Sequence, residues 1–268
     1  MSLTGKSPSE TYKDLVYVSN SNAGVDATNR SLKSGDGTSS ALGLSNKNVV
    51  VSSSTDNTSA FLVNNSGGTS KFQVDTTNNY VKANGLFVNT QYTHFGINSY
   101  DNSAYLAGYH YPIPFVANGL NASGQEDNIH FGNDTDPADT YTTADASGPA
   151  TSVRADYLVT KLWYISDNIY IDSVTSLEGA STSTGDTTRF HLKSYDFTSG
   201  STNCLTNGSI LFNSDGNTNA GNEQPYLETW VADNQSVSSG KVVVAFFESD
   251  SVNSDYSLAI NIKYHLTG

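Results

Sequence analysis

Three groups of residues in this chain carry side chains able to do chemistry. The first is the segment DGNTNAGNE, where Asp215, Asn217 and Asn219 fall at the alternate positions from which oxygen ligands reach a calcium ion. The pattern then departs from an EF-hand loop. Position six is Ala220 rather than Gly, and position twelve is Tyr226 rather than a bidentate Glu, so only Glu223 is left to close a different kind of site. The competing reading is an Asx-rich hairpin loop, and the acidic run DTDPAD at 134–139 has the same two readings. The expectation is therefore no cofactor, with Ca2+ as the one metal the pattern suggests.

The second group is the histidines His94, His110, His130, His191 and His265, which are scattered without HxH or HxxxH spacing. His94 and His110 lie among aromatic residues as candidate ligands or a proton-transfer pair, but without a spaced partner they read as packing or surface side chains. The third group comprises Glu223, Glu228 and Glu248, which flank strand-like runs and would suit glycoside hydrolysis if two of them faced across a cleft. Trp163, Tyr164, Tyr226 and Trp230 could stack sugars, yet both tryptophans sit inside apolar runs and read as core. No GxSxG elbow accompanies the many serines, and Cys204 in STNCLTNGS reads as a small semi-buried apolar residue. No catalytic residue is assigned, and the chain is expected not to be an enzyme.

The elements that would position these groups are strands. Charged residues make up only 15% of the 268 positions and apolar ones 36%, the balance being rich in Ser, Thr, Asn and Gly. Aromatics at 11%, 16 of them Tyr, argue against disorder. From residue 153 onward, DYLVTKLWYI, NIYIDSV, TRFHLKSYDF, GSILFNS, PYLETWVAD, GKVVVAFFES and DYSLAINIKYHL read as seven strands. In the last, Tyr256, Leu258, Ile260, Ile262 and Tyr264 alternate strictly with Ser257, Ala259, Asn261, Lys263 and His265. The final two runs read as a hairpin, and no window predicts an amphipathic helix beyond two or three turns. The fold class is all-β, with residues 153–268 an antiparallel β-sandwich of jelly-roll-like topology.

Upstream, two short units repeat about thirty residues apart. Leu42, Leu44, Val50 and Val51 in the first correspond to Phe72, Val74, Tyr80 and Val81 in the second, with Phe61 and Val63 between them. Each unit is too small to bury its own apolar side, so it must stack on neighbours or wrap around identical chains. The chain divides on this basis into an arm (1–40), a short intertwined β stalk (41–90), an irregular region (91–152) and the sandwich knob. In the irregular region Tyr105, Tyr109, His110, Tyr111 and Phe115 cluster with Pro112 and Pro114.

Charge and cysteine content narrow the partners. With 13 basic against 26 acidic side chains the formal net charge is -13, and no Lys/Arg cluster is present, so nucleic acid is excluded as a partner. One cysteine permits no intrachain disulfide, which suits a reducing compartment. No apolar run reaches membrane-spanning length, and the first residues lack a secretory apolar core, so neither membrane nor export is expected.

The stretch GKSPSETYKDLVYVSNSNAGVDATNRSLKSGDGTSSALGLS resembles the opening of structural proteins of tailed marine bacteriophage virions, the head-fibre, decoration and tail-fibre type. AFLVNNSGGTSKFQVDTTNNYV is similar to a repeat of trimeric phage fibres, its core being Phe72-x-Val74-Asp75-Thr76. The resemblance covers about the first ninety residues, with one full copy of the repeat. It implies a homotrimer whose stalk residues are Leu42, Leu44, Phe61, Val63, Phe72 and Val74, and whose arm residues Tyr12, Leu15, Val16 and Tyr17 meet the major capsid protein or another virion protein. Two units are few for a fibre that reaches for a receptor, so the expected role is a capsid decoration (cement) protein or short head fibre in the virion, assembled in the bacterial cytoplasm. A tail fibre recognising host glycans is the alternative, and a carbohydrate-binding or hydrolytic sandwich the lesser one.

Overall fold

A computed structural model of the chain describes residues 15–21, 23–100, 106–115, 129–143, 152–153, 155–180, 184–220, 224–250 and 256–267. Residues 1–88 and 89–268 form two units.

The first unit consists of two four-stranded antiparallel meanders. One is β1 (Val16–Val18), β2 (Arg30–Ser34), β3 (Ser39–Leu44) and β4 (Val49–Val51); the other is β5 (Phe61–Asn64), β6 (Ser70–Asp75), β7 (Tyr80–Ala83) and β8 (Leu86–Phe87). The two repeats are the hairpins β3–β4, with Leu42 opposite Val51, and β6–β7, with Val74 opposite Val81. The boundary expected at residue 40 falls inside β3, which pairs with β2.

Turn chemistry sets these registers. Asn84 and Gly85 both have positive φ, 51° and 82°, which is the two-residue loop that joins β7 to β8 without splaying the strands. At the β6–β7 turn Asp75 accepts from the Asn78 backbone N–H and side-chain amide, each at 2.8 Å. That is the physical content of the Val-Asp-Thr core. At β5–β6, Asn65 Oδ1 accepts from the N–H groups of Gly67 and Thr69.

The second unit is a sandwich of two antiparallel sheets. Its strands are β9 (Thr90–Tyr100), β10 (Tyr111–Ile113), β11 (Thr142–Thr143), β12 (Ser152–Val153), β13 (Trp163–Tyr164), β14 (Ile169–Ala180), β15 (Thr187–Phe197), β16 (Leu205–Asn213), β17 (Asn217–Thr218), β18 (Pro225–Thr229), β19 (Val231–Ala232), β20 (Ser236–Val237), β21 (Lys241–Ser249) and β22 (Tyr256–Leu266). One sheet runs β18-β14-β22-β9, with β20 also on β14; the other runs β10-β21-β15-β16-β19, with β13 on β21 and β17 on β15. β9 and β10 bring the expected irregular region into the sandwich, and a separate parallel pair joins β11 to β12.

Between the sheets lies a core of Phe95, Ile171, Val174, Leu258, Ile260 and Ile262 from one side and Ile113, Phe190, Leu192, Val243, Ala245 and Phe247 from the other. A second core covers the far face of the seven-stranded sheet. There Val242, Val244, Phe246, Tyr195 and Leu205 pack under Ile129, Phe131, Tyr141 and Leu158. Phe131 stacks on Tyr141 with centroids 3.9 Å apart and meets Phe246 edge to face.

Two sequence expectations fail here for one reason. The last two runs are not a hairpin: β21 lies in the seven-stranded sheet, while β22 pairs with β14 and β9 in the other. VVVAFF lacks alternation because β21 is covered on both faces, and the strictly alternating β22 is covered on one. DYLVTKLWYI is not one strand but a short helix, α1 (Ala155–Val159), followed by β13. Its Leu158 is buried in the second core, and an unbroken apolar run does not distinguish helix from strand.

Candidate functional site

Three strands bring His110, His191 and Glu248 together on the far face of the seven-stranded sheet. Tyr111 is opposite Phe247, so His110 precedes β10 at the level of Glu248 on β21. His191 on β15 is opposite Phe246, two residues from Glu248 on the same face. The His110 and His191 rings meet edge to face, centroids 4.8 Å apart at 84°. His110 Nδ1 lies 3.9 Å and His191 Nε2 3.7 Å from Glu248 Oε2.

The other ring nitrogens fix the tautomers. His110 Nε2 is 2.8 Å from the Asp134 carbonyl, which only accepts, so Nε2 carries the proton and Nδ1 the lone pair of a neutral ring. His191 Nδ1 is 2.6 Å from Asn213 Oδ1. The amide orientation follows from its other end, where Asn213 Nδ2 donates to Asp233 Oδ2 at 2.7 Å. His191 therefore donates from Nδ1 and turns Nε2 inward. Both inward nitrogens are buried without a hydrogen-bond partner among the described residues. Burial holds the His110 imidazole below its usual range. Glu248 is held below the ordinary carboxylate range by the approaching His191 ring, with His110 and Arg189 adding to the effect. Two inward ring nitrogens and a carboxylate thus converge on one point, an arrangement suited to a cation.

The loop 134–139 is seated beside this cluster by alternate residues of β15. His191 Nδ1 lies 4.0 Å from Asp136, Lys193 donates to the Pro137 carbonyl and to Asp139 Oδ1 (2.7 Å), and the Tyr195 hydroxyl donates to the Ala138 carbonyl (2.9 Å). DTDPAD is thereby a cover for the sheet. Its backbone carbonyls serve as acceptors for buried side chains.

A second buried group lies inside the sandwich. Glu178 accepts from the Thr188 hydroxyl at 2.7 Å and from the Asn217 side-chain amide, and burial raises its pKa. Glu228, on the neighbouring β18, has both oxygens buried. Burial, then the Glu178 charge, pushes its pKa up to about 7. Glu228 and Glu248 therefore do not face across one cleft: the first points between the sheets and the second outward beneath the second core. Glu223 lies outside the described residues.

The suggested calcium residues take separate duties. Asp215 is exposed, Asn217 spends its amide as a donor to Glu178, and Asn219 is buried with its N–H on the Asp186 carbonyl. Trp163 and Trp230 are both core residues, Trp230 donating from Nε1 to Ser176 Oγ, and Cys204 is buried in the second core. His94 is exposed, opposite Asn261 on the outer face of the five-stranded sheet. His265 faces Asp172 at 3.1 Å.

In the first unit, Phe61 and Phe72 meet edge to face at 6.1 Å, with Val63 opposite Phe72 and Val74 opposite Phe61. Phe61, Val63 and Phe72 are exposed; Leu42, Leu44 and Val74 are half-buried. Leu15, Val16 and Tyr17 are exposed as well, and Tyr12 lies outside the described residues. Among the described residues from 15 to 88 no apolar side chain is buried; the buried positions are Gly35, Gly43 and Asp75. An open groove of about 580 Å³ runs past Val49, Val51, Ala60, Phe61 and Val74.

The His110–His191–Glu248 cluster escaped sequence reading because its members are far apart in the chain, on β15, on β21 and just before β10. The one trace was in TRFHLKSYDF, where His191, Lys193 and Tyr195 alternate with Phe190, Leu192 and Ser194. No protein-family model matches this chain, and no curated protein matches it.

Proposed function

We propose that this protein is a homotrimeric virion structural protein, a capsid decoration protein or short head fibre, acting through assembly rather than catalysis. The observation that carries the reading is that no apolar side chain is buried among the described residues of the first unit. Eight strands with exposed Val49, Val51, Phe61, Leu62, Val63, Phe72, Leu86 and Val88 cannot offset their ordering entropy alone. Each such side chain gains about 1.5–3 kcal/mol when buried, so identical chains wrapped together supply what one chain lacks. The apolar groove beside Phe61 and Val74 is the place for a strand edge of a second copy.

The resemblance of residues 1–90 to phage fibre and decoration proteins supports the same reading, as does the acidic chain without a basic cluster. The arm, with Leu15, Val16 and Tyr17 exposed, is the part assigned to the capsid. Light scattering on the purified full chain gives the state in solution, and imaging of particles that carry it gives location and copy number. A trimer present in hundreds of copies on the head is expected. A monodisperse monomer overturns the stalk, and a handful of copies at the tail replaces decoration with receptor binding.

A further inference from the structure

We infer that His110, His191 and Glu248 form a binding site for one divalent transition-metal ion of the zinc class, which ties the edge strand β10 to the centre of the seven-stranded sheet. Three observations carry this. The donor set is two imidazole nitrogens and one carboxylate, with all three ligand atoms within 4.8 Å of one another. Ligands on a tetrahedral ion at about 2.1 Å stand roughly 3.4 Å apart. The 3.7 and 3.9 Å separations from Glu248 come within about half an ångström of that, and the widest separation in the set, 4.8 Å, has to close by about 1.4 Å as the rings turn onto the ion.

The outer groups are also in place. The Asp134 carbonyl accepts from His110 Nε2–H, and Asn213, held by Asp233, accepts from His191 Nδ1–H, so His110 Nδ1 and His191 Nε2 are presented inward. Without a ligand the arrangement is costly, since it leaves two buried ring nitrogens with no hydrogen-bond partner among the described residues. Imidazole with carboxylate suits zinc and its first-row neighbours over calcium or magnesium, which take oxygen. Glu248 keeps 17% of its side chain exposed and gives the ion an entry path, with water as the fourth ligand.

The role assigned is structural. Of the three ligands, His110 sits beside β10 at the sheet edge, whereas His191 and Glu248 lie on adjacent central strands. The ion therefore adds a cross-link where β10 otherwise contributes only three paired residues. The site lies wholly within the second unit and does not depend on the trimeric stalk.

The test uses the full chain without an affinity tag, stripped with chelator and then titrated with Zn2+ by calorimetry and with Co2+ by visible absorption. One site per chain is expected, with the ligand-field bands of four-coordinate cobalt and a higher melting temperature on loading. Glu248→Gln and His191→Gln are each expected to weaken binding at least tenfold and to abolish the cobalt bands. Absence of a stoichiometric site in the unsubstituted chain overturns the inference, as does binding unchanged in both variants. If His191→Gln does not melt cooperatively, Glu248→Gln decides alone, because Glu248 is the least buried ligand; retained cobalt bands in it overturn the site.

Discussion

Lys193 reaches across the far face of the seven-stranded sheet to Asp139, Nζ to Oδ1 at 2.7 Å, and donates as well to the Pro137 carbonyl. Its side chain is 2% exposed while that of Asp139 is 75% exposed, so a buried ammonium is held by a carboxylate that stays in water. The pair works as a latch for the 134–139 cover, with the aliphatic stem of Lys193 buried in the sheet. Lys193→Met keeps that stem and removes the donor. The expected cost is about 1–3 kcal/mol. Faster hydrogen exchange is expected at the Ala138 and Gly208 amides, which bond to Phe131 and Asp139 carbonyls. Unchanged exchange at both would refute the latch.

Gly208 lies under the same cover. A Cβ there would stand 2.6 Å from Lys193 Cε, 2.8 Å from Tyr195 Cε1 and 2.9 Å from Asp139 Cα. The last is backbone and cannot swing aside, so Gly208→Ala must displace the loop. A loss of about 1–3 kcal/mol is expected by denaturant titration. An unchanged midpoint would mean that the loop seats elsewhere.

Glu228 predicts a pH dependence of stability. Its folded pKa of about 7 lies above the model-peptide value of 4.5, so the folded state holds the proton more tightly than the unfolded chain. That contribution is complete below pH 4.5 and is lost as pH rises through about 7. Allowing for partial solvent screening, the change is on the order of 1–2 kcal/mol. Glu228→Gln, neutral at every pH, is expected to flatten the fall in melting temperature between those values. An equally steep profile in the variant would assign the effect to other groups, such as Glu178 and Asp215, whose charges act on Glu228.

Phe72 tests the stalk. It is exposed, packs edge to face on Phe61 and lies opposite Ala83 and Val63, so a charge there costs a lone chain little. In a trimer that buries it, Phe72→Asp costs about 1.5–3 kcal/mol in each chain before the charge is counted. Dissociation to monomers is expected by light scattering, with the melting transition of the sandwich retained. A trimer that survives the substitution would place the contacts on another face.

The strands themselves were legible wherever one face is buried and one wet. β22 shows this best, because period-2 alternation is a direct print of one-sided burial. The short repeat was legible too, because its apolar positions recur about thirty residues apart, and the structure adds that Asp75, Asn84 and Gly85 set the turns of the second repeat through local hydrogen bonds and positive φ. The apolar surplus of residues 41–90 likewise followed from counting side chains that short hairpins cannot cover. None of these needs knowledge of distant parts of the chain.

What only the tertiary structure decided is which residues meet across sequence distance. β21 reads as an ordinary apolar run, and only the cover formed by 129–143 and α1 explains why both of its faces are dry. Trp163 and Trp230 could be weighed as core from their flanks, but no local pattern places His110, His191 and Glu248 in one cluster. Side-chain alternation is set by bonds between neighbours, whereas the pairing of β10, β15 and β21 is set by sheet order, which depends on burial summed over the whole sandwich. Composition and periodicity therefore determined that this chain is built of strands with an under-buried first unit. The convergence of two imidazole rings on a carboxylate was decided by the packing of strands that the sequence keeps far apart.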